Sequence, residues 1–320
     1  MKSWLFHGTN KPLTLEEVPE PKAGPDEVVV DVKAAGICHS DVSAMRDPSW
    51  MYLWPTLPHT LGHENAGVIS EVGENLKDKW HVGDRVGMAP MMPDGSALGY
   101  VTWEGGFGPK LRATDYNLVK IPDGVSYELA AMATDAGLTS YHAVVTRGKV
   151  EAGMKVGIIG LGGLGYIGAQ IARMKGAEVY GVDISEAARA LKDELGLTAV
   201  AESIMDFQDV GLNLIVDFAG FGTTTAEAIE AIGMDGRYVF VGLGKTEATI
   251  NTFTVITKHL DLVGSQSGTK QDLEELYELM RSGELNPPMN LITHDQVPEA
   301  LDKLEEGGVV GRFIIQYDAE

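Results

Sequence analysis

A glycine-rich turn between a short apolar strand and an amphipathic segment constrains this chain's fold more than any other feature. The strand KVGII runs directly into Gly160, Gly162 and Gly165 in the spacing G-x-G-x-x-G, and a helical pattern begins there. In such a turn the first glycine permits a tight bend, the second lets a pyrophosphate approach, and the third lets the helix pack against the strand. A purely structural glycine turn is the alternative, and the strand–turn–helix setting argues against it. The pattern predicts a dinucleotide site.

The residues around this turn predict a doubly wound α/β fold. From Met154 onward apolar strands alternate with helical segments, which is typical of a parallel sheet with helices on both faces. The first 120 residues instead show short apolar runs separated by Gly, Pro and Asp, typical of a small β-rich barrel or sandwich. We therefore predict a β-rich domain from residues 1–125 and 286–320, and a dinucleotide-binding domain over 126–285.

The second strand of the predicted sheet ends at Asp183, 23 residues after Gly160. A carboxylate at this position binds the adenosine ribose hydroxyls and repels a 2′-phosphate. No arginine follows directly, since Ile184 and Ser185 come next. The sequence therefore favours NAD over NADP.

Composition limits the partners and the compartment. The net charge of −21 argues against nucleic acid and anionic membranes, because both are bound through Lys and Arg. No apolar run reaches the roughly 18 residues that span a bilayer, and the N-terminus lacks the pattern of a secretory signal. With a single cysteine in the chain, these features lead us to expect a cytoplasmic protein.

Four scattered residues predict a metal site. They are Cys38, the only cysteine, together with His63, Glu64 and Asp135. A thiolate, an imidazole and a carboxylate are acceptable ligands for a tetrahedral zinc with one open position, and an open position indicates catalysis. Taken singly, a lone cysteine or histidine is more often a buried structural residue.

Several motifs in order resemble those of the zinc-dependent medium-chain alcohol dehydrogenases, in the medium-chain dehydrogenase/reductase superfamily. They are GICHSD, LGHENAGVI, VGDRV at 82–86, GGFG at 105–108, AGLTSYHA, GLGGLG, VDFAG, VFVGLG and the closing GR. The resemblance covers essentially the whole chain. It implies a GroES-like β-rich catalytic domain beside a Rossmann NAD-binding domain. The implied reaction is hydride transfer between NAD(H) and a small-molecule alcohol, aldehyde or ketone.

The resemblance also implies roles for the metal-site residues. Cys38 and His63 are expected to bind one catalytic zinc per chain. The third ligand, often cysteine in relatives, is Asp135 here, as in certain secondary alcohol dehydrogenases. Glu64 is expected to approach the zinc transiently, and Asp41 to bond His63 and fix its tautomer.

Further roles follow from matching positions. Ser40 is expected to relay the proton of the substrate hydroxyl, and Thr139 to lie near the nicotinamide. Many relatives end the relay at a histidine five residues after the cysteine, where this chain has Ser43. The expected cofactor-binding residues are His39, Thr139, Gly160, Gly162, Gly163, Leu164, Gly165, Asp183, Ala219, Gly242 and Arg312.

This chain lacks the four-cysteine lobe that holds a structural zinc in many relatives. The corresponding segment, residues 90–104, contains no cysteine, which excludes such a zinc by ligand count. Pro90 and Trp103 in this segment, with Trp54, are candidates to face the substrate; ordinary packing is the alternative for the aromatic pair.

Two other functions remain open at this point. One is a metal-independent quinone or enoyl reductase of the same superfamily, and the other is a catalytically silent cofactor-binding protein. Relatives associate through an edge strand of the nucleotide domain, and the strand-like runs in 238–256 lead us to expect a homodimer or homotetramer.

Overall fold

The computed structural model describes residues 1–100 and 103–317. The chain forms two compact units, one comprising Met1–Ala136 with Thr269–Glu320 and the other Gly137–Gly268. We call them the first and the second unit. Within the described residues, none of the helices has the length and apolar character needed to cross a membrane.

The strands and helices have the following bounds. The strands are β1 (Lys2–Phe6), β2 (Thr14–Glu17), β3 (Glu27–Ile37), β4 (His59–Thr60), β5 (Glu64–Val72), β6 (Arg85–Met88), β7 (Lys110–Thr114), β8 (Leu118–Lys120), β9 (Lys155–Ile159), β10 (Glu178–Val182), β11 (Ala199–Ala201), β12 (Leu212–Asp217), β13 (Ile232–Phe240), β14 (Asp261–Gly264), β15 (Met289–Thr293) and β16 (Arg312–Gln316). The α-helices are α1 (His39–Arg46), α2 (Tyr127–Met132), α3 (Leu138–Tyr141), α4 (Gly163–Met174), α5 (Glu186–Arg189), α6 (Lys192–Leu195), α7 (Gly222–Ala231), α8 (Thr252–Thr257), α9 (Lys270–Arg281) and α10 (Val297–Glu306).

The second unit contains a six-stranded parallel sheet in the order β11-β10-β9-β12-β13-β14. In order of sequence this is 3-2-1-4-5-6, the Rossmann arrangement. The central strand β9 is almost entirely buried, which explains why it reads as a continuous apolar run. The order reverses between β9 and β12, which is where such sheets bind their ligands. The predicted doubly wound fold is confirmed.

The first unit is β-rich, as predicted. Its larger sheet has the order β15-β16-β3-β5-β6-β8, with β7 also paired to β3, and its smaller sheet has the order β2-β1-β4. Eight of the eleven residues of strand β3 are buried, including its last four, so burial stabilises the strand along most of its length. The core combines side chains from these strands with apolar residues of α10.

The boundaries between the units differ from the predicted ones, because two helices at the edges belong to the first unit. Helix α2 contributes a main-chain carbonyl, Ala130 O, to a hydrogen bond of 3.3 Å with the hydroxyl of Tyr277 on α9. Lys270, also on α9, donates to Asp115 O at 2.8 Å. Helix α9 has the amphipathic pattern of helices that flank a parallel sheet, and the short α2 ends in four consecutive buried residues; neither pattern reveals which sheet the helix covers.

The segment 238–256 is strand only at its start. Strand β13 ends at Phe240, and the β-branched run near the end forms α8, whose first turn is capped by the Asn251 side chain accepting from Phe253 N and Thr254 N. Of the strand-like runs expected in this segment, the first lies in β13 and the last, TFTVI, is helical, since a local N-cap overrides its β propensity. The sheet edge on this side is β14.

Candidate active site

The ends of three paired strands bring the candidate metal ligands of the first unit together. Strand β3 ends immediately before Cys38, β5 begins at Glu64, and β16 begins at Arg312. Gly36 on β3 pairs with Glu64 on β5. A Cβ atom at Gly36 would lie only 1.8 Å from Glu64 Oε2, so glycine makes room for this buried carboxylate.

The start of helix α1 holds Cys38 and its neighbours in place. Cys38 is the N-cap residue, and its amide donates to Asp41 Oδ2 at 2.9 Å. The other oxygen of Asp41 lies 3.5 Å from His63 Nδ1, on the side of the ring away from Asp135. Ser40 Oγ lies 3.6 Å from Cys38 Sγ. Asp41 therefore accepts a hydrogen bond from the backbone of one candidate ligand and faces the ring of another, the arrangement that orients metal-binding histidines in proteins.

Asp135 lies in a π-helical segment, Ala133–Gly137, that follows α2. The hydroxyl of Thr134 donates to Ala131 O at 2.7 Å and accepts from the amide of Asn65 at 3.0 Å. This bridge ties the π segment to the start of β5, next to His63. Inserted π turns are frequent at functional sites, because they displace one residue from the regular helical face.

The four predicted metal-site residues are together. One ligand atom from each of Cys38, His63, Glu64 and Asp135 can be chosen so that all lie within 4.8 Å of one another. His63 Nε2 lies 3.3 Å from Asp135 Oδ2. Metal–ligand distances of about 2.0–2.3 Å hold the ligands of one zinc ion within about 4.6 Å of each other, so the cluster needs little rearrangement to bind one.

The cluster is electrostatically suited to a cation. Burial by itself lowers the pKa of His63, but Tyr100 and the carboxylates of Asp41 and Asp135 act in the opposite direction and together bring the pKa well above its usual value. Burial raises the pKa of Asp135, whereas the neighbouring His63 lowers it. The net result is that the pKa of Asp135 lies well below its usual range. A divalent ion held by the same carboxylates would take the place of the proton on His63, so its binding would release protons.

Glu64 has a different partner from the other three. It is fully buried, and its carboxylate accepts hydrogen bonds from the guanidinium of Arg312, one of them 3.1 Å long from Nε and the other from Nη2. Burial raises the pKa of Glu64 to about 7 although Arg312 acts in the opposite direction. Arg312 Nη2 also lies 3.4 Å from Asp135 Oδ2. Arg312 is thus placed at the metal cluster; its predicted contact with the cofactor stays a prediction.

An aromatic pair borders the cluster. The ring of Tyr100 lies 5.0 Å from that of His63 and 5.2 Å from that of Trp54, measured between centroids. Trp54 is only 2% exposed and packs edge-on against Phe6, in keeping with the packing alternative for this residue. Trp103 is half-buried under the guanidinium of Arg112, and Pro90 is buried.

In the second unit the glycine turn has the geometry that its sequence predicts. Gly160 has φ +83°, in the left-handed region, and follows β9 directly. Gly162 is the N-cap of α4, and a Cβ placed there would meet open space, so its backbone is accessible. A Cβ at Gly165 would lie 1.7 Å from Gly160 O, so close helix–strand packing requires glycine there. Gly163 and Leu164 form the first turn of α4.

Other predicted cofactor residues surround this turn. Asp183 accepts from Leu161 N and Ser185 N, each at 2.8 Å. Ala219 lies beside the turn, since a Cβ at Gly160 would be 3.3 Å from Ala219 N. Gly242 follows β13. Thr139 is buried in α3 of this unit, whereas His39 is exposed on α1 of the first unit.

Three residues of these sites were not identified from the sequence. Thr134 sits next to a predicted ligand, but nothing marks its hydroxyl as a bridge to β5. Tyr100 lies in a segment predicted only as the remnant of a missing lobe. Asp217, a buried acid at the end of β12, was visible as a polar residue closing an apolar run in VDFAG.

A Rossmann sheet with this glycine turn, on a chain with a buried Cys, His, Glu and Asp cluster, defines a nicotinamide-dependent oxidoreductase. The chain belongs to the medium-chain, zinc-type alcohol dehydrogenase family. Residues 24–123 match the family Alcohol dehydrogenase GroES-like domain, and residues 163–282 match the family Zinc-binding dehydrogenase. The predicted family, fold class and enzyme class are confirmed.

Similar proteins cover the whole chain. An alcohol dehydrogenase of Geobacillus stearothermophilus is 30% identical over 99% of this chain and 100% of its own length. An NAD-dependent alcohol dehydrogenase of Sulfolobus acidocaldarius is 31% identical over 99% of each chain. The structure of acetophenone reductase from Geotrichum candidum NBRC 4597 in complex with NAD is 29% identical, with a TM-score of 0.89, and covers 99% of this chain and 97% of that one.

Proposed function

We propose that the protein transfers hydride between NAD(H) and an alcohol or its aldehyde or ketone, with one zinc per chain bound by Cys38, His63 and Asp135. The observation that carries the proposal is the convergence of these ligand atoms, with that of Glu64, within 4.8 Å at the ends of paired strands. The names of the relatives support the cofactor and the substrate class, since they include an NAD-dependent alcohol dehydrogenase and a reductase bound to NAD.

Glu64 differs from the other three candidate ligands in its contact with Arg312. Both of its carboxylate oxygens accept hydrogen bonds from the guanidinium, which lies 3.4 Å from Asp135. We assign the three-ligand set to Cys38, His63 and Asp135, with an open fourth position, as catalytic zinc sites require. For Glu64 to serve as a transient ligand, it would have to give up contacts with Arg312.

Zinc, when bound, acts as a Lewis acid that lowers the pKa of an alcohol hydroxyl and polarises a carbonyl. The protein supplies orientation and proton transfer. Asp41 faces Nδ1 of His63, which leaves Nε2 free to be a ligand. Ser40 is half-buried beside Cys38, where its hydroxyl can accept the alcohol proton and pass on its own. With Ser43 where many relatives have histidine, the relay continues to water or through the cofactor ribose.

The second unit provides the NAD(H) site. The accessible backbone at Gly162 and the start of α4 face the place of a pyrophosphate. The carboxylate of Asp183 beside this turn favours the ribose hydroxyls of NAD over the phosphate of NADP.

Metal analysis combined with a substrate panel tests the proposal. We expect about one zinc per purified chain, and oxidation of alcohols with NAD in preference to NADP. Asp135→Ala should lose zinc and alcohol oxidation, whereas the control Asp78→Ala removes an exposed acid of the same unit and should retain both.

Three outcomes would contradict the proposal. Reductase activity in zinc-free protein would instead indicate that the protein is a metal-independent quinone or enoyl reductase. Binding of NADH without turnover of any alcohol or carbonyl would favour a catalytically silent protein. Unchanged alcohol oxidation by Asp135→Ala would remove this residue from the ligand set.

We further propose a homodimer or homotetramer that acts in the cytoplasm. The edge strand β14 is available for pairing, and Phe253 and Ile256 on the neighbouring helix α8 are 72% and 70% exposed. A reducing compartment keeps Cys38 available as a ligand. Light scattering coupled to gel filtration measures the mass; a monomer would refute the oligomer.

A further inference from the structure

A buried carboxylate outside the predicted site residues closes strand β12. Asp217 is completely buried. Its Oδ1 accepts from the amides of Ala219 at 3.0 Å and Gly220 at 2.8 Å. Its Oδ2 lies 2.8 Å from the hydroxyls of Thr224 and Tyr238. Because burying a carboxylate is strongly unfavourable unless hydrogen bonds compensate it, the four hydrogen-bond donors around Asp217 indicate a specific arrangement rather than an accident of packing.

These contacts connect three parts of the second unit. Ala219 and Gly220 form the turn after β12, Thr224 lies in the first turn of α7, and Tyr238 is a fully buried residue of β13. The main chain repeats the connection, since the amide of Gly242 donates to Asp217 O at 3.0 Å. The turn itself leaves little space, because a Cβ at Gly220 would lie 1.9 Å from Gly242 O.

The turn that Asp217 fixes is adjacent to the dinucleotide turn. Strands β9 and β12 are neighbours at the point where the strand order reverses, and ligands of such sheets bind outside the carboxyl ends there. Asp217 is the last residue of β12, while Gly160 follows the last residue of β9. The amide of Ala219 is within 3.3 Å of the place of a Cβ at Gly160. A shift of the Ala219–Gly220 turn would therefore change the wall of the cofactor cleft.

We propose that Asp217 is a positioning residue for NAD(H), which holds the Ala219–Gly220 turn in the conformation that receives the dinucleotide. The inference rests on the proposed NAD(H) binding of this unit. Both amides of the turn point to one carboxylate oxygen, so the side chain sets the direction of two successive peptide groups. Without the carboxylate of Asp217 as acceptor, the amides of Ala219 and Gly220 turn toward water. The turn beside the dinucleotide site then no longer holds the conformation that receives the cofactor.

The variants Asp217→Asn, Asp217→Ala and Tyr238→Phe test this role in the full-length holoenzyme. Asn retains one acceptor for the two amides, Ala retains none, and Tyr238→Phe removes one donor to the carboxylate while leaving the turn its acceptor. We expect the dissociation constant of NADH and the KM for NAD to rise at least about tenfold in Asp217→Ala, in line with the loss of hydrogen bonds to a charged group. The rise should be smaller in Asp217→Asn and smallest in Tyr238→Phe, with kcat changed less than KM.

Thr254→Val is a matched control. It removes a mostly buried hydroxyl of the same unit, which donates to Glu230 away from the glycine turn. NADH affinity is measured by fluorescence titration at a temperature at which circular dichroism shows that each variant is folded. Under this condition a weaker affinity reflects the binding site and not a smaller fraction of folded protein. If Asp217→Ala does not fold, the NADH affinities of Asp217→Asn and Tyr238→Phe still test the proposal.

The outcomes separate this inference from the proposed function. If the wild-type protein does not bind NADH, the proposed function fails. If the wild type binds and the folded Asp217 variants bind within about twofold of it, or if Thr254→Val weakens binding equally, the positioning role is wrong.

Discussion

The buried ion pair of Arg312 and Glu64 allows a sharp prediction about stability. Arg312 is 5% and Glu64 0% exposed in their side chains, and the guanidinium makes two contacts with Glu64 and one with Asp135. Arg312→Met keeps much of the stem but leaves Glu64 buried without its partner. Breaking such a pair costs about 3–5 kcal/mol, which corresponds to a fall in Tm of about 6–20 °C at about 2–4 °C per kcal/mol.

The assay is thermal unfolding of chelator-treated protein followed by circular dichroism. The second variant, Arg312→Met with Glu64→Gln, removes the stranded charge as well and should recover at least half of the loss. Arg46→Met is the control, because Arg46 is 46% exposed and its contacts with Asp302 and Glu305 lie at the surface. Surface pairs contribute about 0–1 kcal/mol. The reasoning fails if Arg312→Met resembles the control, or if the double variant is no more stable than the single one.

Three further predictions concern the metal, the cofactor and the charge of the chain. Asp41→Asn removes the carboxylate facing His63 and should weaken zinc binding about 10–100-fold in chelator competition; unchanged affinity would contradict its supporting role. Gly165→Ala forces a Cβ against Gly160 O and should abolish NADH binding in fluorescence titration, whereas Gly264→Ala, which meets open space, should not. Raising NaCl from about 0.05 to 1 M should raise Tm by several degrees, because it screens the repulsion of a net charge of −21; a fall in Tm would refute this.

The fold was predictable wherever the apolar pattern of a segment directly reflects the packing of that segment in the structure. The runs that became β3, β9, β10 and β12 are apolar because both their faces are covered, and that pattern survives in the sequence. The boundaries between the two units were harder to predict from the sequence. Helix α9 has the same amphipathic pattern as the helices of the Rossmann sheet, and α2 is a short, largely buried apolar segment. Only the three-dimensional arrangement shows that both belong to the other unit. The helix α8 was missed because a single capping side chain, Asn251, decides its conformation.

The candidate site was predictable as a set of residue types and only partly as a set of contacts. Cys38, His63 and Asp135 could be proposed as ligands because zinc restricts the choice of residue types and because their motifs resemble those of the family. The pairing of Glu64 with Arg312 joins residues 248 positions apart and leaves no local pattern. Periodicity locates the apolar face of an element, whereas a polar contact across the sheet depends on which strands are neighbours.

The charges of the cluster show why its residues belong together. The carboxylates of Asp41, Glu64 and Asp135 and, if it binds a metal as a thiolate, the sulfur of Cys38 would together contribute up to four negative charges, and one guanidinium, that of Arg312, offsets one of them. Carboxylates buried at such separations repel each other strongly, and bringing them together is unfavourable without further positive charge. A proton on His63 supplies one charge in the absence of metal, while a divalent ion supplies two and leaves the ring as a neutral ligand. The composition of the cluster thus favours a cation, in agreement with the proposed binding of zinc by Cys38, His63 and Asp135.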